Sequence, residues 1–476
     1  MCVAPTLLGR WVVTAYRGKL GGTAFNSALI SVIAGWGAFL YPTKESIRCN
    51  DLKETGFMAE DILQELEWRG AINQTTDEAG LRDQMAKEQI GVYVGIDPTG
   101  DSMHIGHLIP FMILKRFQLA GQKPVIVVGG ATGSIGDPSG KKSERKLLSQ
   151  EDVAANVEKI RAQMVKLFGE DGFTIVNNFD WLGKLSLLDM LREYGKLFSI
   201  NTMLAKDVVA SRLEAGISFT EFTYQILQSI DFHELWKREN VRLQVGGSDQ
   251  WGNITGGIDL IHKLEGGEAP AFGLTVPLLL KADGTKFGKT EGGAVWLDPE
   301  KTTPFEFYQF WLNTADSDVE KMLKYFTFLS QDEIAGLVAD LQENAAARNA
   351  QRRLAQEVTT FVHGADAVKT AETMTKVLFG NADVSELTTD EVAILAGNVP
   401  TFEIDNAEIG LLDLVVAAGL EKSKTAARKS VKDGAIRING EQITDEEAVV
   451  NPAAKYDGKY VIVKRGKKKW AVAVVR

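Results

Sequence analysis

The sequence predicts an α/β protein in which a parallel-sheet domain is followed by an α-helical region and a small α+β module. Three observations carry this. Short β-rich runs at 91–96, 124–128 and 243–245 each end in Gly, Asp or Pro and open into a helical pattern, which is the order of strand–helix–strand units. From Thr303-Pro304 to about Gly380 the pattern is almost wholly helical. From Leu411 to Arg476 a basic helix precedes a hairpin-like stretch. The chain has 476 residues, 45% hydrophobic and 24% charged, enough for two or three globular domains. Its net charge of −10 excludes a global basic field, so any nucleic-acid contact must come from local patches. Cys2 and Cys49 both lie near the N-terminus, which excludes a disulfide framework or Cys-rich zinc site in the main body.

The stretch from Gly91 to Arg116 organises the rest. Val92, Val94 and Ile96 bracket Tyr93 and Gly95 as a buried strand. Asp97-Pro98-Thr99-Gly100-Asp101 forces a turn, and Ser102 is expected to cap a helix whose first turns hold His104 and His107. Pro124 to Val128 supplies the next strand, completing a unit of the nucleotide-binding kind. Histidines at i and i+3 face the same way, at a helix end that already attracts phosphate. Gly106 lets a flat ring or ribose approach the backbone. His-x-x-His pairs also bind zinc, but no Cys or third His lies nearby.

The His104-Ile105-Gly106-His107 run resembles the first signature of class I aminoacyl-tRNA synthetases, and its surroundings look like the bacterial tyrosine enzymes of that family. The resemblance covers nearly all of Glu60 to Arg476. It implies a Rossmann-like catalytic domain over 58–302, an α-helical anticodon-side domain over 303–380, a linker over 381–406 and a small α+β RNA-binding module over 407–476. It also implies condensation of tyrosine with ATP to tyrosyl-adenylate, then transfer to the 3′-terminal adenosine of tRNA(Tyr) with release of AMP and pyrophosphate. ATP enters as a substrate accompanied by Mg2+, with no protein-bound metal. A homodimer through the catalytic domains and a cytoplasmic location follow by the same analogy. By resemblance Thr99, His104 and His107 hold the triphosphate, while Gly95, Asp97 and Gly106 meet ATP. Val94 departs from relatives that carry a Cys near the adenylate ribose, so that contact is absent.

Further along, Val127 to Gly133 reads as a strand ending in a glycine loop, followed by Gly136 to Arg145. That loop is either solvated or, at the carboxyl end of a parallel strand, part of a site. The resemblance puts Asp137 on the substrate ammonium, and Lys141 and Arg145 near the tRNA acceptor end. Val153, Val157, Ile160, Met164 and Leu167 recur at helical spacing as core. Tyr224, Gln228 and Asp231 fall at i, i+4 and i+7, a polar face that an ordinary surface helix also shows. In the family these positions line the tyrosine pocket: Tyr224 and Gln228 at the ammonium end, Asp231 with Tyr93 at the hydroxyl. Leu243 to Asn253 opens through Gly246 and Gly247 into a helix. The resemblance assigns Gly247 and Asp249 to the nucleotide and Gln250 to the carboxyl side of the adenylate. Leu278-Leu279-Leu280 is expected to end a buried strand before Lys286-Phe287-Gly288-Lys289-Thr290, which resembles the second class I signature, a mobile loop. Lys286, Lys289 and Thr290 would then close over the phosphates.

Phe305, Phe307, Phe310 and Trp311 are expected helical core. Asn381 to Asn406 is rich in Asp, Glu, Thr and Pro and reads as linker. The helix from Ser423 to Lys429 and the stretch Asp433 to Gly440 resemble a small RNA-binding module shared with a ribosomal protein. Lys424, Arg428, Lys467 and Lys468 are its candidate tRNA contacts, against a plain solvated charge run.

Met1 to Phe57 does not match the rest. Ala24 to Pro42 is almost uncharged and imitates a signal anchor. The preferred reading is a translated leader ahead of a start at Met58. Lys53-Glu54 permits AAGGAG, a ribosome-binding sequence, and Lys19 to Ala24 permits the conserved core of the T-box leaders that precede synthetase genes. Two other functions compete for the whole chain. The tryptophan enzyme shares both signatures, but Tyr93, Asp231 and the C-terminal module argue against it. An RNA-binding protein built on an inactive synthetase would not need both signatures.

Overall fold

A computed structural model of the chain describes residues 61–139, 149–214, 216–279, 287–290, 293–379, 384–466 and 469–476, with side chains at 207, 208, 211, 289 and 290 left aside. The expectations for Met1–Phe57, Lys141, Arg145, Leu280, Lys286, Lys467 and Lys468 lie outside the described residues. Among the described residues no helix is long and apolar enough to cross a membrane.

Six strands form the central sheet: β1 Gln74–Thr75, β2 Gly91–Ile96, β3 Lys123–Val128, β4 Thr174–Asn177, β5 Val241–Gly247 and β6 Phe272–Val276. Their order is β1-β6-β5-β2-β3-β4, parallel throughout except for the short edge strand β1. The chain winds outward from β2 through β3 to β4, then returns to the other side of β2 as β5. Winding therefore reverses between β2 and β5, and such sheets bind ligands beyond the carboxyl ends of strands at that reversal. Ile96-Asp97 and Gly247-Ser248-Asp249 sit there. Alternation along β2 sends Val92, Val94 and Ile96 into the core shared with Ile105 and Leu108. It sends Tyr93 into the opposite core with Val125, Val127, Ile226, Ile230 and Phe232. Burial on both faces explains why these strands read as continuous apolar runs.

Two expected boundaries are corrected. The helix after β2 spans Ile105–Leu119 and its N-cap is His104, not Ser102. The Ser102 hydroxyl is occupied elsewhere, donating to Met103 O at 2.9 Å and accepting from Gln163 Nε2 at 2.9 Å. The strand expected to end at Leu278–Leu280 ends instead at Val276. Pro277 has no N–H to continue the ladder, and Leu278 is 54% exposed. The helix Gln150–Phe168 buries Val153, Ile160, Met164 and Leu167, with Val157 packed beside them.

Five helices follow: Pro304–Leu312, Asp316–Phe326, Gln331–Glu343, Asn349–His363 and Ala365–Phe379. Thr303 and Glu306 form a capping box ahead of the first, with Pro304 in its opening turn. Phe305, Phe307 and Trp311 are buried there and Phe310 half-buried. Two buried arginines lock these helices to the sheet domain. Arg69 donates to Lys324 O at 2.8 Å and Leu329 O at 2.6 Å, and Arg116 to Thr327 O at 2.7 Å. The carbonyls at the end of the Asp316–Phe326 helix carry partial negative charge, which gives both guanidinium groups their partners.

The stretch expected to be linker is largely folded where described. A helix covers Thr389–Ala396 and a strand Thr401–Ile404. Its Thr and Glu residues are helix signals rather than linker composition, since Thr388 and Glu391 make a capping box. The Thr401–Ile404 strand runs parallel to Lys469–Val475 at one edge of a five-stranded sheet that includes Ile436–Ile438, Glu441–Gln442 and Tyr460–Arg465. Helices Leu411–Ala417 and Lys424–Lys432 cover one face of this sheet, the second capped by Ser423.

Candidate active site

The polar groups at the carboxyl ends of β2 and β5 form two connected networks. The helix Phe219–Arg238 starts at Ser218, whose hydroxyl accepts from Glu221 N at 3.2 Å, and it lies against the sheet face that carries Tyr93. Tyr224, Gln228 and Asp231 on it are 7%, 8% and 2% exposed, so this is no solvated surface face. The Tyr224 hydroxyl donates to Asp97 Oδ2 at 2.8 Å, and the Thr132 hydroxyl donates to Asp97 Oδ1 at 2.7 Å. Asn178 carries the network on, its Nδ2 donating to Thr132 Oγ1 at 2.9 Å and to Asp231 Oδ2 at 2.9 Å. Trp181 Nε1 donates to Asp231 Oδ1 at 2.7 Å. Asp97, expected beside ATP, is thus engaged with Tyr224 and Thr132.

Burial raises the Asp231 carboxyl from its ordinary 3.8 to about 7, against the lowering effect of the Asn178 and Trp181 hydrogen bonds. Burial, with Asp231 and Asp97 nearby, pushes the Tyr93 phenol well above its ordinary value. The Tyr224 phenol is raised for the same reason, with Asp97 its strongest charged neighbour. Both phenols are therefore held as O–H donors. A Cβ on Gly95 would stand 3.1 Å from the Tyr93 hydroxyl, so a small residue is needed there.

The second network starts at Asp137, whose Oδ2 accepts from Gln250 Nε2 at 2.8 Å. Gln228 Nε2 donates to Gln250 Oε1 at 3.2 Å, and Asn253 Nδ2 donates to Gln228 Oε1 at 3.0 Å. Four residues from three separate stretches are thus linked side by side. Asp249 folds back at the end of β5, where a Cβ on Gly247 would meet its Oδ1 at 2.6 Å. Thr99 lies exposed in the turn after β2, its N–H donating to Asp97 O at 2.8 Å.

The histidines are locked by their own helix. Gly106 N donates to His104 Nδ1 at 3.1 Å, and His104 N donates to His107 Nδ1 at 3.2 Å. An Nδ1 that accepts carries no proton, so each neutral ring holds its hydrogen on Nε2. The rings stack at 3.9 Å between centroids. A Cβ on Gly106 would lie 2.9 Å from His104 Cε1, so the capping ring itself requires glycine there. Gly288 of the Lys286–Thr290 stretch lies against this turn: its Cβ would be 3.1 Å from Ile105 Cγ1 and 3.4 Å from Gly106 N. Phe287 anchors that stretch, stacking on Phe326 at 5.3 Å and packing on Trp311 at 5.7 Å. Lys289–Thr290 pairs antiparallel with Gly293–Ala294. Two segments almost two hundred residues apart thus meet at the helix start.

Thr132, Asn178 and Trp181 were not legible as site residues. The only local sign was the position of Asn178 just past β4, at the carboxyl edge of the sheet. On the C-terminal module, Lys424 pairs with Asp413 at 2.6 Å and Arg428 with Glu446 at 3.3 Å. Both cations are well exposed, so these pairs contribute little to stability.

The model of class I tRNA synthetases (W and Y) matches residues 85–380, and that of the tyrosine–tRNA ligase SYY-like C-terminal domain matches residues 391–473. The chain is 60% identical over 415 residues to a tyrosine–tRNA ligase of Limosilactobacillus fermentum, covering 87% of this chain and 99% of that one. It is 62% identical over 417 residues to that of Pediococcus pentosaceus, covering 87% and 100%. Among solved structures it resembles a C-terminally truncated mitochondrial tyrosyl-tRNA synthetase of Aspergillus nidulans, at 33% identity and a TM-score of 0.60 over 70% of this chain and 97% of that one. With that identity along the full length of its relatives, on a sheet and site of this form, the chain belongs to the tyrosine–tRNA ligases of the class I tRNA synthetase family.

Proposed function

We propose that the chain joins tyrosine to the 3′-terminal adenosine of tRNA(Tyr) in two steps at the β2–β5 reversal. A tyrosine carboxylate oxygen attacks the α-phosphorus of ATP, the bond to the β-phosphate breaks, and pyrophosphate leaves. A ribose hydroxyl of the terminal adenosine then attacks the carbonyl carbon of the adenylate and AMP leaves. No side chain becomes covalently attached, so catalysis is placement plus charge stabilisation. Asp137, Gln228, Gln250 and Tyr224 receive the ammonium and carboxyl end of tyrosine, and Tyr93 and Asp231 its hydroxyl. Gly95, Gly106, Gly247 and Asp249 border the nucleotide, with Asp97 bracing Tyr224. His104, His107 and Thr99, with Lys286, Lys289 and Thr290, act on the triphosphate that Mg2+ accompanies.

The observation that carries this reading is the single connected network from Asp97 through Thr132 and Asn178 to Asp231, which presents one buried carboxylate beside Tyr93. Tyrosine-dependent exchange of pyrophosphate into ATP tests it. Exchange that ignored tyrosine or preferred tryptophan would overturn it. A pH profile gives a sharper check. The free enzyme needs Asp231 ionised to accept the substrate hydroxyl, so kcat/KM for tyrosine should rise with pH around a midpoint near 7. The stability contribution has the opposite sign. A raised folded pKa favours the protonated carboxyl, so its contribution is full below pH 3.8 and is lost as pH rises through about 7. Asp231→Asn should flatten both dependences, and a kcat/KM limb unchanged in that variant would remove Asp231 from the assignment.

The catalytic domain runs 58–302 and the helical domain 303–380, and the terminal module takes in the folded stretch from 384 onward; Lys424, Arg428, Lys467 and Lys468 of that module, with Lys141 and Arg145 of the catalytic domain, read tRNA. A truncation must respect the folding of 384–406 against the terminal module, so it belongs after Phe379 rather than before Leu411. Stopping there should leave pyrophosphate exchange within about twofold while tRNA charging falls about tenfold, the scale of losing a few phosphate contacts. Undiminished charging would show the module dispensable. Leu187, Leu188, Leu191, Ile200 and Phe219 are large exposed apolar side chains of the catalytic domain. They support a homodimer through that domain, and sedimentation as a monomer at micromolar concentration would count against it; a cytoplasmic location rests on the family resemblance alone.

A further inference from the structure

The segment that follows the Lys289–Thr290 hairpin does not leave the site. It runs back along the start of the histidine helix. Leu297 N donates to Met103 O at 2.8 Å, and Ile105 N donates to Val295 O at 3.0 Å. Between these bonds His104 and Trp296 face each other as an isolated antiparallel bridge. The Trp296 ring meets the His104 ring edge-on, with centroids 6.0 Å apart and planes at 65°. His104 is therefore held on one side by the stacked His107 and on another by Trp296. Trp296 is itself braced. Its backbone N–H donates to Thr302 Oγ1 at 3.0 Å, and the Lys301 ammonium lies 5.0 Å over its ring. Lys301 in turn pairs with Asp101, in the turn that leads into the histidine helix. Val295 alone separates Trp296 from the Gly293–Ala294 strand, and its N–H donates to Gly288 O at 3.4 Å.

We infer that Trp296 is a positioning residue, a strap that fixes the His104 imidazole and ties its placement to the hairpin carrying Lys289. The inference rests on the reading that His104 acts on the triphosphate. Removing the ring leaves the His104 imidazole with the Gly106 N–H cap and the stacked His107 but opens the side that Trp296 covered, and the imidazole gains freedom to swing that way. A displacement of about 1 Å at a group acting on the transition state costs up to about 10²-fold in rate. Trp296 is not placed in the tyrosine pocket, so tyrosine affinity should be spared.

The test uses the full chain, with kcat and KM from tyrosine-dependent pyrophosphate exchange. Trp296→Leu should lower kcat about ten- to hundredfold with tyrosine KM within about twofold, and Trp296→Phe should recover most of the loss. The same change made on a His104→Ala background should cost less than about threefold more, because the strap acts through a ring no longer there. Losses that multiply, or a Trp296→Leu enzyme with wild-type kcat, would overturn the inference while leaving the site reading intact. A His104→Ala enzyme with wild-type kcat would overturn the site reading itself, and the strap with it. Where Trp296→Leu no longer binds tyrosine, Lys301→Met provides the test from the surface. It should give about a threefold to tenfold kcat loss that disappears on His104→Ala, and an unchanged kcat or a persisting loss overturns the inference.

Discussion

Replacing His104 by alanine should lower the kcat of tyrosyl-adenylate formation about 10²- to 10³-fold while tyrosine KM moves by less than about twofold. The Nδ1 atoms of His104 and His107 accept from backbone N–H groups, which directs the Nε2–H donors away from the helix. Such donors assist only when charge builds on the pyrophosphate, so their loss appears in the rate and not in ground-state tyrosine binding. Alanine also removes a helix cap, a separate cost of about 1 kcal/mol in stability. His104→Asn separates the two effects, because an Asn oxygen can cap Gly106 N while its amide still donates. That variant should fold like wild type and fall between wild type and alanine in kcat. Thr99→Ala should fall in the same direction as His104→Ala. Equal losses in kcat and tyrosine affinity would contradict a transition-state role for either residue.

Strands β2, β3 and β5, the histidine turn and the helical region were legible because each rests on local pattern: apolar runs between turn residues, a capping box at Thr303, apolar spacing along Gln150–Phe168. The strand end failed on a local signal, Pro277, and the helix start failed because a side chain had a better partner far away. Ser102 looks like a cap, but Gln163, some sixty residues on, takes its hydroxyl, and the cap passes to His104. The Thr388–Glu391 box was present in the sequence but was hidden by linker-like composition, and its helix packs on both the Ala365–Phe379 helix and the terminal module. Within the site, Tyr224, Gln228 and Asp231 could be placed on one helix face by spacing. Beyond the place of Asn178 just past β4, nothing local marked Asn178 or Trp181, since their roles exist only once β4 brings them over Asp231. For the same reason Asp97 could be placed at the site but not given its partner, Tyr224.

Asp231→Ala should cost about 2–4 kcal/mol of tyrosine transition-state binding, roughly 30- to 10³-fold in kcat/KM, as expected when one partner of a buried charged hydrogen bond is removed. Tyrosine and phenylalanine differ by one hydroxyl, and an apolar pocket could not reject the smaller ligand. Here the pocket end is polar and dry: Tyr93 and Asp231 are each 2% exposed and lie among Ile230, Phe232 and Val125. Phenylalanine would leave both without a ligand partner in a place where water does not compensate. Alanine at 231 also orphans Trp181 Nε1 and leaves Asn178 Nδ2 with Thr132 alone, so overall stability and activity fall for reasons unrelated to specificity. The ratio of kcat/KM for tyrosine to that for phenylalanine removes this common loss, because both substrates meet the same weakened enzyme. That ratio should shrink by the same order as the tyrosine loss. Asp231→Asn keeps the volume and one acceptor oxygen, which serves either Trp181 or Asn178 while its NH2 faces the other donor, and it should still lose much of the discrimination, since that acceptor is uncharged. A ratio unchanged in both variants would mean that Asp231 does not read the hydroxyl, and that the network from Asp97 to Asp231 serves the fold instead.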